Sequence, residues 1–183
     1  MIVRALQAVP ADDATLVERV RRGDESAFSA LYERHARYLA GVLYRIMGHD
    51  TETDDILQET FVDAALQIGQ LREPSQIRSW LVTIVVRRAH RALGARRRRK
   101  WFGLRVAEIS PRCADPKLRQ RIDELYEQLD RLSPDMRIPW VLHRIEDQGL
   151  ADVAAACGVS LATAKRRIAA ADERLNRRMH ATG

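Results

Sequence analysis

The residues of this sequence most able to do chemistry form an acidic stretch. Residues 46–71 carry six carboxylates and no lysine or arginine. Asp55, Gln58 and Glu59 share one side of a predicted helix, opposite an apolar stripe. Such a face can be solvated, can bind a divalent metal ion, or can dock a basic protein surface. Taken alone, the pattern favours solvation and leaves the other two interpretations open.

The charge reverses immediately afterwards. Residues 74–107 contain no acid, and their cations are Arg78, Arg87, Arg88, Arg91, Arg96, Arg97, Arg98, Arg99, Lys100 and Arg105. A helix this basic, with tryptophan inside it and aromatic residues just after it, fits contact with phosphates and stacking on bases. Trp80 lies at helical spacing, which favours a place in the core over stacking. The run 96–100 predicts a flexible electrostatic tether, because adjacent cations repel one another.

A third candidate site lies near the C-terminus, where the pattern predicts a helix-turn-helix. Ala154 supplies the small residue on the first helix, Gly158 can adopt the left-handed turn, and Ser160 can cap the second helix. The predicted buried stripe of the second helix is Ala164, Ile168, Ala171 and Leu175. Its predicted outward side chains are Thr163, Lys165, Arg166 and Arg167. This half of such a helix enters the major groove of DNA, where cations suit guanine edges and phosphates.

The composition of the whole chain narrows what these sites can belong to. Its 183 residues are 46% hydrophobic and 5% aromatic, a helix-forming mixture, and the net charge of +6 suggests a polyanionic partner. Cys113 and Cys157 lack zinc-ligand spacing and the five histidines are scattered, so we expect no metal site, cofactor or catalytic residue. The sequence shows no signal peptide and no run of about 18 apolar residues, so we expect a cytoplasmic protein without membrane insertion.

Helix-start and helix-stop residues predict an all-α fold. Helices are expected at about 12–23, 24–48, 51–68, 75–93, 115–132, 133–147, 150–157 and 161–179. Pro139 falls inside the sixth helix and predicts a kink or a loosened turn. The predicted architecture is a four-helix N-terminal domain and a C-terminal helix-turn-helix domain, joined by a flexible basic linker. The expected boundaries are a disordered tail at 1–11, a first domain at 12–95, the linker at 96–116 and a second domain at 117–183.

The order of these features resembles the sigma factors of the extracytoplasmic-function (ECF) type, the two-domain promoter-recognition subunits of bacterial RNA polymerase. The segments that carry the resemblance are LVERVRRGDESAFSALYERH at 16–35, DDILQETFVDA at 54–64, RSWLVTIVVRRAHRAL at 78–93 and LADVAAACGVSLATAKRRIAAADERL at 150–175. They look like the opening helices, the core-binding helix, the −10 helix and the −35 helix-turn-helix of that family. All four occur in the family's order.

The resemblance implies a factor that binds core RNA polymerase and directs transcription initiation at −10 and −35 promoter elements. It assigns to the clamp helices of the polymerase large subunit Asp54, Asp55, Gln58 and Glu59. It assigns to the −10 element Trp80, Arg87, Arg88 and Arg91. It assigns to the −35 element Ser160, Thr163, Lys165, Arg166 and Arg167. The implied partners are core polymerase, through its clamp helices and flap, promoter DNA, and an anti-sigma factor that covers the polymerase-binding surface.

The sequence departs from the family pattern in the −10 helix. Where the family usually shows Ile-Ala-Arg-Asn followed by a later Asp, this chain keeps Ile84 but has Val86, Arg87 and Arg91 at the last three of those positions. Asparagine can both donate and accept a hydrogen bond at a base edge, whereas arginine can only donate. We therefore expect an altered −10 preference.

Two other classes of function are compatible with parts of the pattern. A stand-alone transcriptional regulator would use the same helix-turn-helix, and it would bind duplex DNA as a free dimer. A magnesium-dependent isoprenoid-type enzyme would use the carboxylates of Asp54 and Asp55 to hold a metal ion against diphosphate. That chemistry needs a second acidic cluster and a large apolar cavity, and the sequence predicts neither.

Overall fold

The computed structural model describes residues 11–48, 52–101 and 115–179. Its α-helices are α1 (Asp13–Arg21), α2 (Glu25–Met47), α3 (Thr53–Gln67), α4 (Ile77–Trp101), α5 (Pro116–Leu129), α6 (Pro134–Arg144), α7 (Leu150–Cys157) and α8 (Leu161–Met179). Two short 3-10 turns, Ile68–Gln70 and Pro74–Gln76, lie between α3 and α4. These residues include no strand, so the predicted all-α fold is confirmed. No helix in the described ranges has both the length and the apolar character needed to span a bilayer.

Several helices begin where a short acidic side chain accepts a hydrogen bond from a free backbone amide. Asp24 accepts from the amide of Ala27 at 3.2 Å at the start of α2. A hydrogen bond from Ser26 is the largest of the interactions that lower the pKa of Asp24 to about 2. Asp12 and Asp115 cap α1 and α5 in the same way. These three helix starts, predicted from the sequence, are confirmed.

Helix α4 lies at the centre of the fold. It contacts α1, α2 and α3 on one side and α6 and α7 on another. Its buried apolar side chains are Ile77, Leu81, Val82, Ile84, Val85, Val86, Ala89 and Leu93. Through these side chains, α4 joins both halves of the chain into one continuous core. Burial of apolar surface stabilises such a core by about 25 cal/mol per Å².

The basic run after α4's apolar part is helical, which corrects one prediction. The linker expected at 96–116 does not start at residue 96, because α4 continues through Trp101. Arg96 is buried with Asp130 at 3.5 Å, and Arg99 pairs with Glu52 at 2.7 Å. These partners offset the repulsion between adjacent cations that favoured a flexible tether. The rest of the predicted linker, residues 102–114, and residues 1–10 of the predicted tail lie outside the described residues.

The C-terminal helices pack around α6 and α8. Asp172 of α8 accepts hydrogen bonds from Nε1 of Trp140 at 2.8 Å and from Arg144 at 2.6 Å. Burial acts to raise the pKa of Asp172, but these two hydrogen bonds outweigh it, and the pKa lies below its ordinary value. Helix α6 runs through Pro139 and ends at Arg144, earlier than the predicted residue 147. The pair α6 and α8 is therefore fixed by the half-buried carboxylate of Asp172 as well as by apolar contacts.

Candidate nucleic-acid and protein interfaces

The acidic face of α3, defined as Asp54, Asp55, Gln58 and Glu59, lies at the surface. All four side chains are exposed. Asp54 and Asp55 lie in the first turn of the helix, where carboxylates complement the positive end of the helix dipole. The opposite side of α3 is anchored in the core by Ile56, Leu57, Thr60, Phe61 and Ala64. The helix thus presents a rigid anionic surface whose position does not depend on a loop.

Two exposed apolar side chains extend this surface toward the end of α3. Val62 is 59% exposed and Leu66 is 78% exposed. They follow Glu59 at the i+3 and i+7 positions, so they lie on the same side of the helix as the acidic face. Sequence reasoning missed them, although their positions outside the buried stripe of α3 are visible in the spacing. A partner helix that covered both would meet carboxylates first and then an apolar patch.

Arg88 of α4 is engaged by α3 and not by solvent alone. Its Nε and Nη2 both reach Oδ2 of Asp63 at 2.7 Å, and it also pairs with Glu59. The hydrogen bond that Arg88 donates to Asp63 is the main reason that the pKa of Arg88 lies above its ordinary value. The sequence predicts that Arg88 contacts −10 DNA, and in the structure Arg88 forms ion pairs that link α4 to α3. Asp63, its main partner, was not among the predicted site residues.

The other three −10 candidates lie along α4. Trp80 is half-buried against the core, as its helical spacing favours. Arg87 and Arg91 are exposed and lie about one helical turn apart. Val86, at a position where the family usually has arginine, is buried and 4% exposed. Among the −10 candidates, the cations exposed to an outside ligand are thus Arg87 and Arg91, next to the exposed His90.

The helix-turn-helix has the geometry that its sequence predicts. Gly158 adopts φ +63° and ψ 36°, the left-handed conformation that ends α7. Ala154 packs into the corner at 5% exposure. The predicted buried stripe of α8, Ala164, Ile168, Ala171 and Leu175, is buried throughout. Helix α7 therefore packs against α8, whose first two turns bury Ala164 and Ile168 and expose Lys165 and Arg166.

The −35 candidates on α8 differ in how free they are. Ser160 accepts a hydrogen bond from the amide of Thr163 at 3.2 Å and donates one to its hydroxyl at 2.9 Å, so this pair caps the helix. Lys165 and Arg166 are exposed. Arg167 is half-buried and pairs with Asp135 of α6 at 2.7 Å. The structure leaves Lys165 and Arg166 as the cations of this set that project without an intramolecular ion pair among the described residues.

A groove of about 390 Å³ lies between α4 and the C-terminal helices, beside the places where they pack together. Its walls include Arg87, His90 and Arg91 from α4 and Arg167 from α8. Asp135 lies between these groups, 3.5 Å from Nε2 of His90 and 2.7 Å from Arg167. This interdomain groove brings together cations that the sequence assigned to two different DNA elements.

Cys157 also lines the interdomain groove. It is a free thiol, and burial is the main cause that raises its pKa to about 11. A thiol with that pKa is protonated at neutral pH and is a poor nucleophile. Across the described ranges, no three histidine, cysteine or acidic side chains lie close enough together to hold a metal ion.

Comparison with known protein families matches two separate segments of the chain. Residues 31–100 match the model for Sigma-70 region 2, and residues 122–175 match the model for Sigma-70, region 4. The RNA polymerase sigma factor CarQ of Myxococcus xanthus is 31% identical over 156 residues, which cover 82% of this chain and 88% of CarQ. The ECF RNA polymerase sigma-E factor of Escherichia coli K12 is 26% identical over 184 residues, covering 91% of this chain and 94% of that protein.

Solved structures share the same helical fold. CnrH in complex with the cytosolic domain of CnrY superposes with a TM-score of 0.66 at 24% identity, covering 93% of this chain and 99% of CnrH. The sigma factor RpoE of Bartonella quintana, solved with the anti-sigma factor NepR, gives a TM-score of 0.61 at 22% identity, covering 82% of this chain and 94% of RpoE. At these identities the likeness concerns the fold.

Proposed function

The chain belongs to the sigma-70 family as an RNA polymerase sigma factor of the ECF type, and on that premise we propose which of its surfaces bind polymerase and which read the promoter. It is a transcription initiation factor and not an enzyme, which excludes the isoprenoid-type alternative. It binds core polymerase and directs initiation at −10 and −35 elements. The observation that carries the assignment of surfaces is the separation of charge: an anionic face on α3 and exposed cations on α4 and α8.

The polymerase-binding surface is the acidic face of α3 extended by Val62 and Leu66. Four polar or anionic groups on a rigid helix suit a basic helical partner such as the clamp helices of the polymerase large subunit. The two apolar side chains can each contribute about 1.5–3 kcal/mol when covered. Mixed surfaces of this kind combine electrostatic steering with an apolar anchor. The C-terminal domain contacts the flap of the polymerase.

The promoter-reading surface consists of two separate sets of cations. Arg87 and Arg91 on α4, with Trp80 nearby, contact the −10 element. Lys165 and Arg166 on α8 contact the −35 element, and Ser160 with Thr163 fixes the start of that helix. Arg88 links α4 to α3 through its ion pair with Asp63, and in this way it helps to position Arg87 and Arg91. Because Arg87 and Arg91 donate but cannot accept, guanine-bearing −10 sequences are favoured over those that need an acceptor.

An anti-sigma factor regulates this chain in the same proposal. The Bartonella quintana structure pairs a sigma factor of the same fold with an anti-sigma factor. The exposed α3 surface offers such a regulator a target that polymerase also needs. The site of action is the cytoplasm, where chromosome and polymerase are available.

The experiment that tests the function combines the purified chain with core polymerase of its host bacterium. Promoters are first found by mapping RNA 5′ ends after overexpression of the chain, because the upstream sequences give both elements at once. Run-off transcription from the strongest such promoter is expected only when chain and core are both present. Specific, tight binding to the same DNA by a free dimer of the chain, with no effect of core polymerase, would instead identify a stand-alone regulator.

A further inference from the structure

Arg167 is held differently from the two cations that precede it on α8. Lys165 and Arg166 are exposed, whereas the side chain of Arg167 is 28% exposed. Its Nη2 lies 2.7 Å from Oδ1 of Asp135, which belongs to the first turn of α6. A carboxylate of the same domain therefore sets the direction of the Arg167 guanidinium.

The position of Arg167 along α8 explains why α6 can bind it. The exposed stripe of α8 follows the i, i+3, i+4, i+7 spacing of one helix face and consists of Ala162, Lys165, Arg166 and Ala169. Arg167 lies about 100° farther around the helix than Arg166, so it borders the buried stripe instead. Helix α6 packs against α8 and presents Asp135 to this border.

Arg167 nevertheless lies in the half of α8 that a helix-turn-helix places in the major groove. It comes one turn after Thr163 and directly after Arg166 in the chain. A guanidinium binds carboxylates and phosphates with the same fork of donors, and its flexible stem lets it turn from one to the other. Asp135 and a DNA phosphate can thus compete for the same group.

The ion pair is accessible enough for such an exchange. The side chain of Asp135 is 48% exposed, and its second charged neighbour is Nε2 of His90 at 3.5 Å. An ion pair in contact with water contributes little to stability, because solvent screens the attraction and two long side chains lose freedom. Replacing the carboxylate of Asp135 by a phosphate therefore costs the fold little.

We propose that Asp135 is an intramolecular competitor of promoter DNA, which binds Arg167 and thereby limits how many cations of α8 face the −35 element. The inference rests on the proposed function for the identity of that DNA. Lys165 and Arg166 contact the duplex while Asp135 holds Arg167. When Asp135 is neutralised, Arg167 adds a phosphate contact to theirs.

The experiment measures promoter binding by the chain assembled with core polymerase, at several salt concentrations. D135N removes the charge of Asp135 and keeps the shape of its side chain. One additional phosphate contact makes the slope of log K against log [salt] steeper by about 0.9, which corresponds to roughly eightfold tighter binding at about 0.1 M salt. Both changes are expected in D135N relative to the parent.

Three further variants separate competition for Arg167 from other effects of the lost charge. D152N is the matched control, since Asp152 lies in the first turn of α7 as Asp135 lies in that of α6, and its slope should equal that of the parent. D135E keeps a carboxylate and is expected to restore the parental slope. In an R167M background, D135N should no longer change the slope. The contact with His90 is lost in both backgrounds, so it does not contribute to this difference.

The outcomes that contradict the competition are specific. Equal slopes in the parent and D135N overturn it, and so does tighter binding by D135N that persists in the R167M background. Weaker binding by D135N that disappears with R167M overturns it too, because Asp135 then positions Arg167 for DNA. Circular dichroism checks the fold of each variant, and D135S, with a residue suited to a helix start, replaces D135N if that variant unfolds.

Failure of the proposed function gives a different result. In that case neither the parent nor any variant binds promoter DNA or initiates transcription when assembled with core polymerase. The competition is then measured with the free chain and a random-sequence duplex at low salt, where D135N is expected to bind more tightly than D152N. Equal binding of these two variants to that duplex overturns the competition.

Discussion

The acidic face of α3 and the cations proposed to read DNA differ in how far the C-terminal domain approaches them. The acidic face is exposed and its helix is anchored independently of the C-terminal domain. The cations proposed to read DNA are divided: Lys165 and Arg166 project freely, whereas Arg87, Arg91 and Arg167 border the interdomain groove. The proposed polymerase-binding surface therefore lies away from the C-terminal domain, whereas part of the proposed promoter-binding surface lies beside it.

The largest effect is expected from charge reversal on the acidic face. D55K combined with E59K is expected to weaken binding to core polymerase at least about 100-fold, because like charges then meet across the interface at a cost of several kcal/mol. Affinity is measured by fluorescence anisotropy of the labelled full-length chain. E33K, on an exposed position of α2, is the matched control and should bind like the parent. Equal losses in both proteins would show that only net charge matters.

The next effect concerns the free cations of α8. K165A and R166A are each expected to weaken binding of the polymerase-bound chain to its promoter by about 1–3 kcal/mol, and a phosphate contact also lowers the salt slope by about one. R174A, an exposed arginine on the second half of the same helix, is the control. Binding is followed by titration with promoter duplex at two salt concentrations. A loss of the same size in R174A would place DNA elsewhere on α8.

The next prediction compares two neighbouring arginines on α4. Arg88 is expected to stabilise the fold, and Arg87 is expected to contact DNA. R88M removes the ion pairs with Asp63 and Glu59 and is expected to lower the free energy of unfolding by about 1 kcal/mol, since the pair is only partly buried. That corresponds to roughly 2–4 °C in the melting temperature for a chain of this size. R87M is expected to leave melting unchanged and to weaken promoter opening. The reverse result would make Arg88 the DNA contact and Arg87 the structural residue.

The smallest effect is expected at the turn of the helix-turn-helix. G158A forces a Cβ onto a residue with φ +63° although no atom lies within 4 Å, so backbone strain alone destabilises the fold by about 1 kcal/mol. G69A, which also has open space but no such φ, should stay within about 0.5 kcal/mol of the parent. Thermal melting of the two proteins checks the difference. Equal melting temperatures would mean that α8 tolerates a different turn.

Much of the fold could be predicted because it depends on local rules. Aspartate and serine caps, the apolar spacing and Gly158 each act within a few residues, and the observed helices begin at Asp12, Asp24 and Asp115 caps as expected. The end of α4 was predicted wrongly, because the repulsion between Arg96 and its neighbours is offset by partners far away in the sequence. Asp130 and Glu52 cannot be identified as those partners from local pattern.

The candidate binding residues show the same difference between features set by local sequence and features set by distant contacts. The outward position of Asp55, Glu59, Lys165 and Arg166 follows from helical periodicity alone, since each lies opposite an apolar stripe. The contacts of Arg88 and Arg167 do not follow from periodicity, because their partners lie on other helices. These partners are Asp63 and Asp135. Periodicity assigns a side chain to the outer side of its own helix, but it does not say whether another helix covers that side.

The helices, the helix-turn-helix and the order of acidic and basic surfaces could all be predicted from the amino-acid sequence, because each of these depends on residues close together in the chain. The tertiary structure was needed to show that Arg137 is buried against the end of α2 and that Arg87, Arg91 and Arg167 line one groove. Arg137 looks like any helical arginine in the sequence. Its role arises from the carbonyl of Ile46, 91 residues away, and no local pattern specifies a contact over that separation.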